Sequence, residues 1–123
     1  MNIMVVDDEQ DIELLFRQQF RKEIKKGIIQ LYFALSAEEA LKYLQDNIST
    51  CLVLILADIN MPGMNGLEML KIIKERFSHL KVFMITAYGD EHNYQIAMEY
   101  GADDYIEKPV KFDQLKEKMF KAL

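Results

Sequence analysis

The sequence has little cysteine, no long apolar run and no excess of positive charge. Cys51 is the single cysteine among 123 residues, so the chain cannot form an internal disulfide, which fits a reducing cytoplasm. No stretch approaches the roughly 20 apolar residues of a membrane span, and the N-terminus lacks a secretory pattern. The net charge of −5 disfavours nucleic acid or an anionic membrane as a partner. We therefore expect a cytoplasmic protein that binds neither, with Cys51 as a buried or boundary thiol.

Linkers, repeats and low-complexity stretches are also missing. Half of the residues are hydrophobic, and a chain of this length suits one compact domain with a single core. We predict one domain over residues 1–123. Strand and helix signals alternate along it, and the predicted strands are 2–6, 28–34, 52–57, 81–87 and 104–107.

The predicted helices follow each strand. An apolar residue recurs every fourth position from Ile12 to Ile24, which predicts one helix that ends at Gly27. Ser36 and Glu39 form a capping box for the next helix. Further helices are predicted after Gly66, between Asp90 and Gly101, and from Phe112 onward.

The stretch from Leu52 to Gly66, LVLILADINMPGMNG, organises the rest of the chain. Continuous apolarity from Leu52 to Ala57 is typical of a strand buried on both faces, as in a parallel sheet covered by helices. The run ends abruptly at Asp58. We therefore expect Asp58 at the carboxyl end of a central strand, where open α/β sheets place their ligands.

Five strands, each followed by a helix, predict a doubly wound α/β domain with a five-stranded parallel sheet and right-handed crossovers. We predict the flavodoxin-like order 2-1-3-4-5, which places strands 1 and 3 side by side. The carboxyl ends of the strands would then bring five side chains to one crevice: Asp7, Asp8, Asp58, Thr86 and Lys108.

The chemistry of this group favours phosphoryl transfer. Three close carboxylates repel one another, and a hard cation such as Mg²⁺ neutralises them. Asp58 could then attack phosphorus and form an aspartyl phosphate. Lys108 would offset charge on the phosphoryl oxygens, and the Thr86 hydroxyl would donate a hydrogen bond to them.

Each of these residues also has an ordinary interpretation. Asp7 and Asp8 could simply cap a helix, Asp58 could start a turn, and Lys108 could be a solvated surface lysine. The functional interpretation depends on all of them falling at the carboxyl ends of predicted strands.

Over nearly its whole length the sequence resembles the receiver domain of two-component response regulators. The matching segments, in order, are VVDDE at 5–9, LADINMPGMNG at 56–66, MITAYG at 84–89 and GADDYIEKPV at 101–110. No active-site position departs from the family pattern. Asn60 and Tyr88 match variable positions that tune hydrolysis of the acyl phosphate in this family.

The resemblance implies a role for each site residue. Asp58 would be the phospho-acceptor, and Thr86, the Ala87 amide and Lys108 would hold the phosphoryl group. Tyr105 matches an aromatic switch position, and the Lys108–Pro109 bond matches one that is cis in the family. Asp8 would bind Mg²⁺ directly and Asp7 mainly through water, and Asp58 and the backbone carbonyl of Asn60 would complete the protein ligands.

The resemblance also implies the partners. A sensor histidine kinase or phosphotransfer protein would supply the phosphoryl group, and an output domain or partner protein would receive the signal from the face formed by the fourth helix, fifth strand and fifth helix. A phosphorylation-dependent homodimer is a further expectation. Such a domain catalyses its own phosphorylation and dephosphorylation without being a turnover enzyme.

Two other functions stay open at this point. A small Mg²⁺-dependent phosphatase with an Asp nucleophile would use the same carboxylates, although 123 residues leave no cap or substrate pocket. A flavin-binding domain would share the topology. The acidic turn at Asp7 to Glu9 argues against it, since a cofactor phosphate needs backbone donors there.

Overall fold

The computed structural model describes residues 1–47, 52–87 and 89–122. Cys51 and Tyr88, on which two of the expectations above depend, lie outside the described residues. Within the described ranges, no helix combines the length and the apolarity needed to cross a bilayer.

A five-stranded, fully parallel sheet forms the centre of the molecule, and its order β2-β1-β3-β4-β5 confirms the predicted topology. The strands are β1 Asn2–Val6, β2 Gln30–Ala34, β3 Leu52–Asp58, β4 Lys81–Thr86 and β5 Asp104–Glu107. All residues of β3 are buried except Val53, which is half-buried. The continuous apolar run therefore forms a strand covered on both faces, as predicted.

Within the described ranges, six helices cover the two faces of the sheet. They are α1 Asp11–Gln19, α2 Arg21–Lys25, α3 Ala37–Asp46, α4 Gly66–Arg76, α5 Glu91–Glu99 and α6 Phe112–Ala122. Alternate strand residues point to opposite faces and so build two apolar clusters. Buried side chains of α3, α4 and α5 join one cluster, and those of α1 and α6 join the other.

The prediction of one continuous first helix was wrong. The helix divides into α1 and α2 at Phe20, whose φ of −102° and ψ of 16° lie outside the helical region. Phe20 is fully buried, and its ring centroid lies 5.9 Å from that of Phe16 and 6.2 Å from that of Phe112. Apolar residues recur at every fourth position on both sides of the break, so the apolar pattern does not reveal it. The fourth and fifth predicted helices are consequently α5 and α6.

Three predicted strand boundaries also need correction. The second strand begins at Gln30 instead of Ile28, because the amides of Ile28 and Ile29 donate to the carbonyl of Glu23 at 2.9 and 3.3 Å. These bonds tie the two residues to the end of α2. The fourth strand ends at Thr86, one residue early, and β3 includes Asp58 itself.

Side chains cap three of the helices. The Ser36 hydroxyl accepts from the amide of Glu39 at 3.0 Å, and Asp90 accepts from the amide of Asn93 at 3.2 Å, both as predicted. Asn65 caps α4 through the amide of Glu68 at 2.9 Å, which the sequence analysis did not foresee.

At the amino end of β4, a hydrogen-bonded group joins three elements. The Lys74 ammonium of α4 donates to the carbonyl of Leu80 at 3.0 Å and to Asp103 Oδ2 at 2.6 Å. The same Asp103 oxygen accepts from the amide of Val82 at 2.8 Å. This group fixes α4, the start of β4 and the segment before β5 to one another.

Candidate functional site

The register of the sheet brings the predicted site residues to one edge. Val6 of β1 pairs with Ala57 of β3, so Asp7 leaves the sheet beside Asp58. Asp58 in turn pairs with Ile85 of β4, one residue before Thr86. The carboxyl ends of β1, β3 and β4 thus deliver polar side chains to the same crevice, as the topology predicted.

Three carboxylates form an acidic cluster in this crevice. One oxygen from each of Asp7, Asp8 and Asp58 lies within 4.8 Å of the others. Asp58 is 2% exposed and Asp7 6% exposed, whereas Asp8 faces solvent. Hard oxygen donors at this spacing suit a divalent cation such as Mg²⁺.

The pKa of the Asp7 carboxyl reflects its burial and the charges around it. Burial raises the pKa of the Asp7 carboxyl to about 6, and the negative charge of Asp58 adds to the rise. A hydrogen bond from the Glu9 amide, at 2.9 Å, opposes the shift by stabilising the ionised form. The uncompensated carboxylates therefore favour either a proton or a cation in the crevice.

Lys108 supplies the single ammonium that contacts the acidic cluster within the described part of the chain. Its Nζ lies 2.8 Å from Asp58 Oδ2, and its backbone amide donates to the carbonyl of Thr86 at 2.8 Å. The Lys108–Pro109 bond is cis. Partial burial acts to lower the pKa of Lys108, but the hydrogen bond and charge of Asp58 outweigh it and hold the pKa above its ordinary value.

The other predicted site residues lie at or just after the carboxyl ends of β3 and β4. The amide of Asn60 donates to Asp58 Oδ1 at 3.1 Å, so each carboxylate oxygen of Asp58 accepts a hydrogen bond. Thr86 is 2% exposed, and its hydroxyl has no hydrogen-bond partner among the described residues. Ala87 follows it in an exposed position. A buried hydroxyl without a partner is costly, so Thr86 has a donor to offer a ligand.

Tyr105 lies apart from the acidic cluster, half-buried on β5 between α5 and α6. Its ring centroid is 4.2 Å from that of Tyr94, and the Lys118 ammonium lies 5.4 Å from its centre. Lys118 also donates to the backbone carbonyl of Tyr105 at 3.1 Å. The structure therefore connects Tyr105 to both neighbouring helices.

Two features of the segment that follows Asp58 were missed by sequence reasoning. A Cβ at Gly66 would overlap the carbonyl oxygen of Asp58, so the start of α4 can approach the site only with glycine there. The Glu38 carboxylate accepts from the amide of Met64 at 2.8 Å, across 26 residues of sequence. The conspicuous PGMNG segment was a signal for the first feature, but no local pattern announces the second.

Comparison with known proteins identifies the family. The model for the response regulator receiver domain matches residues 3–120, and the chain belongs to that family. This confirms the predicted receiver domain, and the small phosphatase considered above is not favoured.

Individual relatives agree with this assignment. Sporulation initiation phosphotransferase F of Bacillus subtilis is 32% identical over 121 residues, which cover 98% of this chain and 92% of that protein. A cyclic di-GMP phosphodiesterase of Thermotoga maritima is 32% identical over 123 residues, but the chain spans only 31% of its length.

Solved structures share the fold. The receiver domain of NtrX from Brucella abortus is 34% identical and superposes with a TM-score of 0.84 over 98% of this chain and 97% of that one. A receiver domain from Clostridium thermocellum gives a TM-score of 0.86 at 28% identity, covering 98% and 92% of the two chains.

Proposed function

We propose that this receiver domain, spanning residues 1–123, accepts one phosphoryl group on Asp58 from a sensor histidine kinase or a phosphotransfer protein. One observation carries the proposal. The Asp58 carboxylate is nearly fully buried at the end of the central strand, 2.8 Å from the Lys108 ammonium and beside the carboxylates of Asp7 and Asp8. The name of the Bacillus relative, a phosphotransferase, supports the same chemistry.

The proposed step is a transfer between two side chains. A carboxylate oxygen of Asp58 forms a bond to phosphorus while the bond between phosphorus and the donor's imidazole nitrogen breaks. The electron pair leaves with the imidazole. Lys108, which contacts Asp58, would stabilise the phosphoryl oxygens together with the unpartnered Thr86 hydroxyl and the backbone amide of Ala87.

Mg²⁺ is the proposed cofactor. The side chains of Asp7, Asp8 and Asp58 and the backbone carbonyl of Asn60 would hold it, and it would offset negative charge on the phosphoryl oxygens. The fit depends on the donor set, which consists of oxygen atoms only and carries more negative charge than Lys108 alone can balance.

The proposed output runs through Thr86 and Tyr105 to the face formed by α5, β5 and α6. An output domain or partner protein would read this face, and a homodimer formed on phosphorylation is a further candidate. We propose that the domain works in the cytoplasm without binding nucleic acid or a membrane directly. The contacts of Tyr105 with Tyr94 and Lys118 support the route, because a turn of the ring must alter the packing of both helices.

The test uses a small phospho-donor in place of the kinase. Incubation with acetyl phosphate and Mg²⁺ should add one phosphoryl group that hydroxylamine removes, and peptide mapping should place it on Asp58. Asp58→Asn should take up none. Stoichiometric labelling of Asp58→Asn would overturn the assignment.

A further inference from the structure

The loop between Asp58 and α4, residues 59–65, is held by a carboxylate from a different helix. Glu38 lies in the first turn of α3, and its Oε1 accepts from the amide of Met64 at 2.8 Å. Among the described hydrogen bonds, those of Ile59 and Asn60 fix the start of the loop, and the Asn65 cap fixes its end. Glu38 is the partner of Met64, the residue directly before that cap.

The glycine beside Met64 fits this contact. Gly63 adopts a φ of +75°, which favours glycine, and a Cβ there would lie 3.1 Å from Oε1 of Glu38. The Met64 amide also lowers the pKa of the Glu38 carboxyl, by stabilising its ionised form. The bond is therefore charge-assisted at neutral pH, although Glu38 itself is exposed.

The position of this loop matters because it bears Asn60. The Asn60 amide donates to Asp58 Oδ1, and its carbonyl is a proposed Mg²⁺ ligand. At the other end, Gly66 packs directly against the Asp58 carbonyl. Met64 lies four residues after Asn60 in the same short loop, so we expect release of its amide to loosen the placement of Asn60 relative to Asp58. Small misplacements at a reacting centre are costly.

We infer that Glu38 is a positioning residue that fixes the loop 59–65 against α3 and thereby holds Asn60 in place at Asp58. The inference rests on the proposed phosphoryl acceptance at Asp58. It adds α3 to the elements that shape the site, although α3 contributes no residue to the acidic cluster.

The experiment compares Glu38→Ala and Glu38→Gln with Glu39→Ala. Glu39 is the matched control, because its carboxylate accepts from the amide of Leu35 at 3.3 Å in the same turn of α3, away from the loop. Three quantities are measured: amide exchange of Asn60 and Met64 in the metal-free protein, the Mg²⁺ dissociation constant by calorimetry, and the rate of phosphorylation by acetyl phosphate.

Glu38→Ala should speed exchange at both amides, weaken Mg²⁺ binding by about threefold to tenfold and slow phosphorylation at least about threefold. Glu38→Gln keeps an acceptor for the Met64 amide. Its exchange, Mg²⁺ affinity and phosphorylation rate should therefore return most of the way to the wild-type values. Glu39→Ala should lower thermal stability while leaving the Mg²⁺ affinity and phosphorylation rate within about twofold of wild type.

Two results would overturn the inference. One is Glu38→Ala with faster exchange at Met64 but unchanged Mg²⁺ affinity and phosphorylation rate, which would make the contact structural only. The other is an equal loss of affinity and rate in Glu39→Ala, which would indicate a general effect of helix stability or charge. Failure of wild type to take up phosphate would instead count against the proposed function, and the exchange and Mg²⁺ measurements would still test Glu38.

Discussion

At the scale of single residues, burial of Asp7 beside Asp58 raises its pKa and makes the stability of the metal-free protein depend on pH. Its pKa rises from 3.8 to about 6 on folding, so between these values the folded metal-free protein binds more protons than the unfolded chain. Below about pH 4 the Asp7 carboxyl is neutral in both states and its burial costs no ionisation energy. As the pH rises through about 6, ionisation of the buried carboxyl lowers the free energy of unfolding.

Asp7→Asn should remove this penalty. We expect the variant to be more stable than wild type at pH 7 in the absence of metal, by up to about 3 kcal/mol, with the difference shrinking toward pH 4. Urea denaturation in the presence of a chelator at pH 7, 5.5 and 4 measures the difference. Equal stabilities at all three pH values would contradict the shifted pKa.

The exposed member of the cluster should dominate the response to metal. Millimolar Mg²⁺ should raise the melting temperature of wild type, since it relieves repulsion among the carboxylates and binds only the folded state. Asp8→Ala should remove most of that rise. Asp11→Ala, which removes a nearby carboxylate outside the cluster, should keep it. An equal Mg²⁺ response in wild type and Asp8→Ala would place the metal elsewhere.

At the scale of elements, the close approach of α4 to β3 should make a change from glycine to alanine in α4 destabilising. Replacing an exposed helical glycine with alanine usually stabilises a protein, by up to about 1 kcal/mol. Gly66→Ala should instead destabilise this one by about 1–3 kcal/mol, because the new Cβ would overlap the carbonyl of Asp58. Urea denaturation provides the test, and a variant as stable as wild type would show that α4 can shift without cost.

Elements were predictable where their own residues determine them. The apolar run of β3 and the cap at Ser36 carry their signals locally, so both were found. The break at Phe20 was not, because apolar residues keep the same spacing on either side of it. The late start of β2 depends on the Glu23 carbonyl, which captures the amides of Ile28 and Ile29.

The site follows the same division. Asp58, Thr86 and Lys108 were predictable because each ends or follows a strand, and parallel strands end at one edge. The contact between Glu38 and Met64 joins residues far apart in sequence and depends on how α3 packs beside the loop. No pattern of residues in the sequence predicts that contact.

At the scale of the whole molecule, phosphorylation should change a region well beyond Asp58. Binding of a beryllofluoride mimic should draw the unpartnered Thr86 hydroxyl toward the new oxygens, and Tyr105 should leave Tyr94 to fill the vacated space. Amide exchange should then change in residues 86–106 and in α6, within the described segments.

Thr86→Ala should weaken this response, because it removes the hydroxyl that we propose contacts the phosphoryl group. Asp113→Ala, an exposed change in the first turn of α6, serves as a control for α6 and should leave the response intact. Exchange changes confined to the loops around Asp58 would contradict the proposed route.

The hydrogen-bonded group of Lys74 and Asp103 should determine where along β4 this response is largest. It anchors β4 at Val82, four residues before Thr86, or about 13 Å away along the strand at 3.3 Å per residue. We expect the anchored end to act as a pivot, so that a displacement beginning at Thr86 is largest at the carboxyl edge and decreases toward Val82. We therefore expect a partner that contacts the edge near Thr86 to sense the phosphoryl group, whereas a partner bound near Lys74, outside residues 86–106, would meet a smaller change.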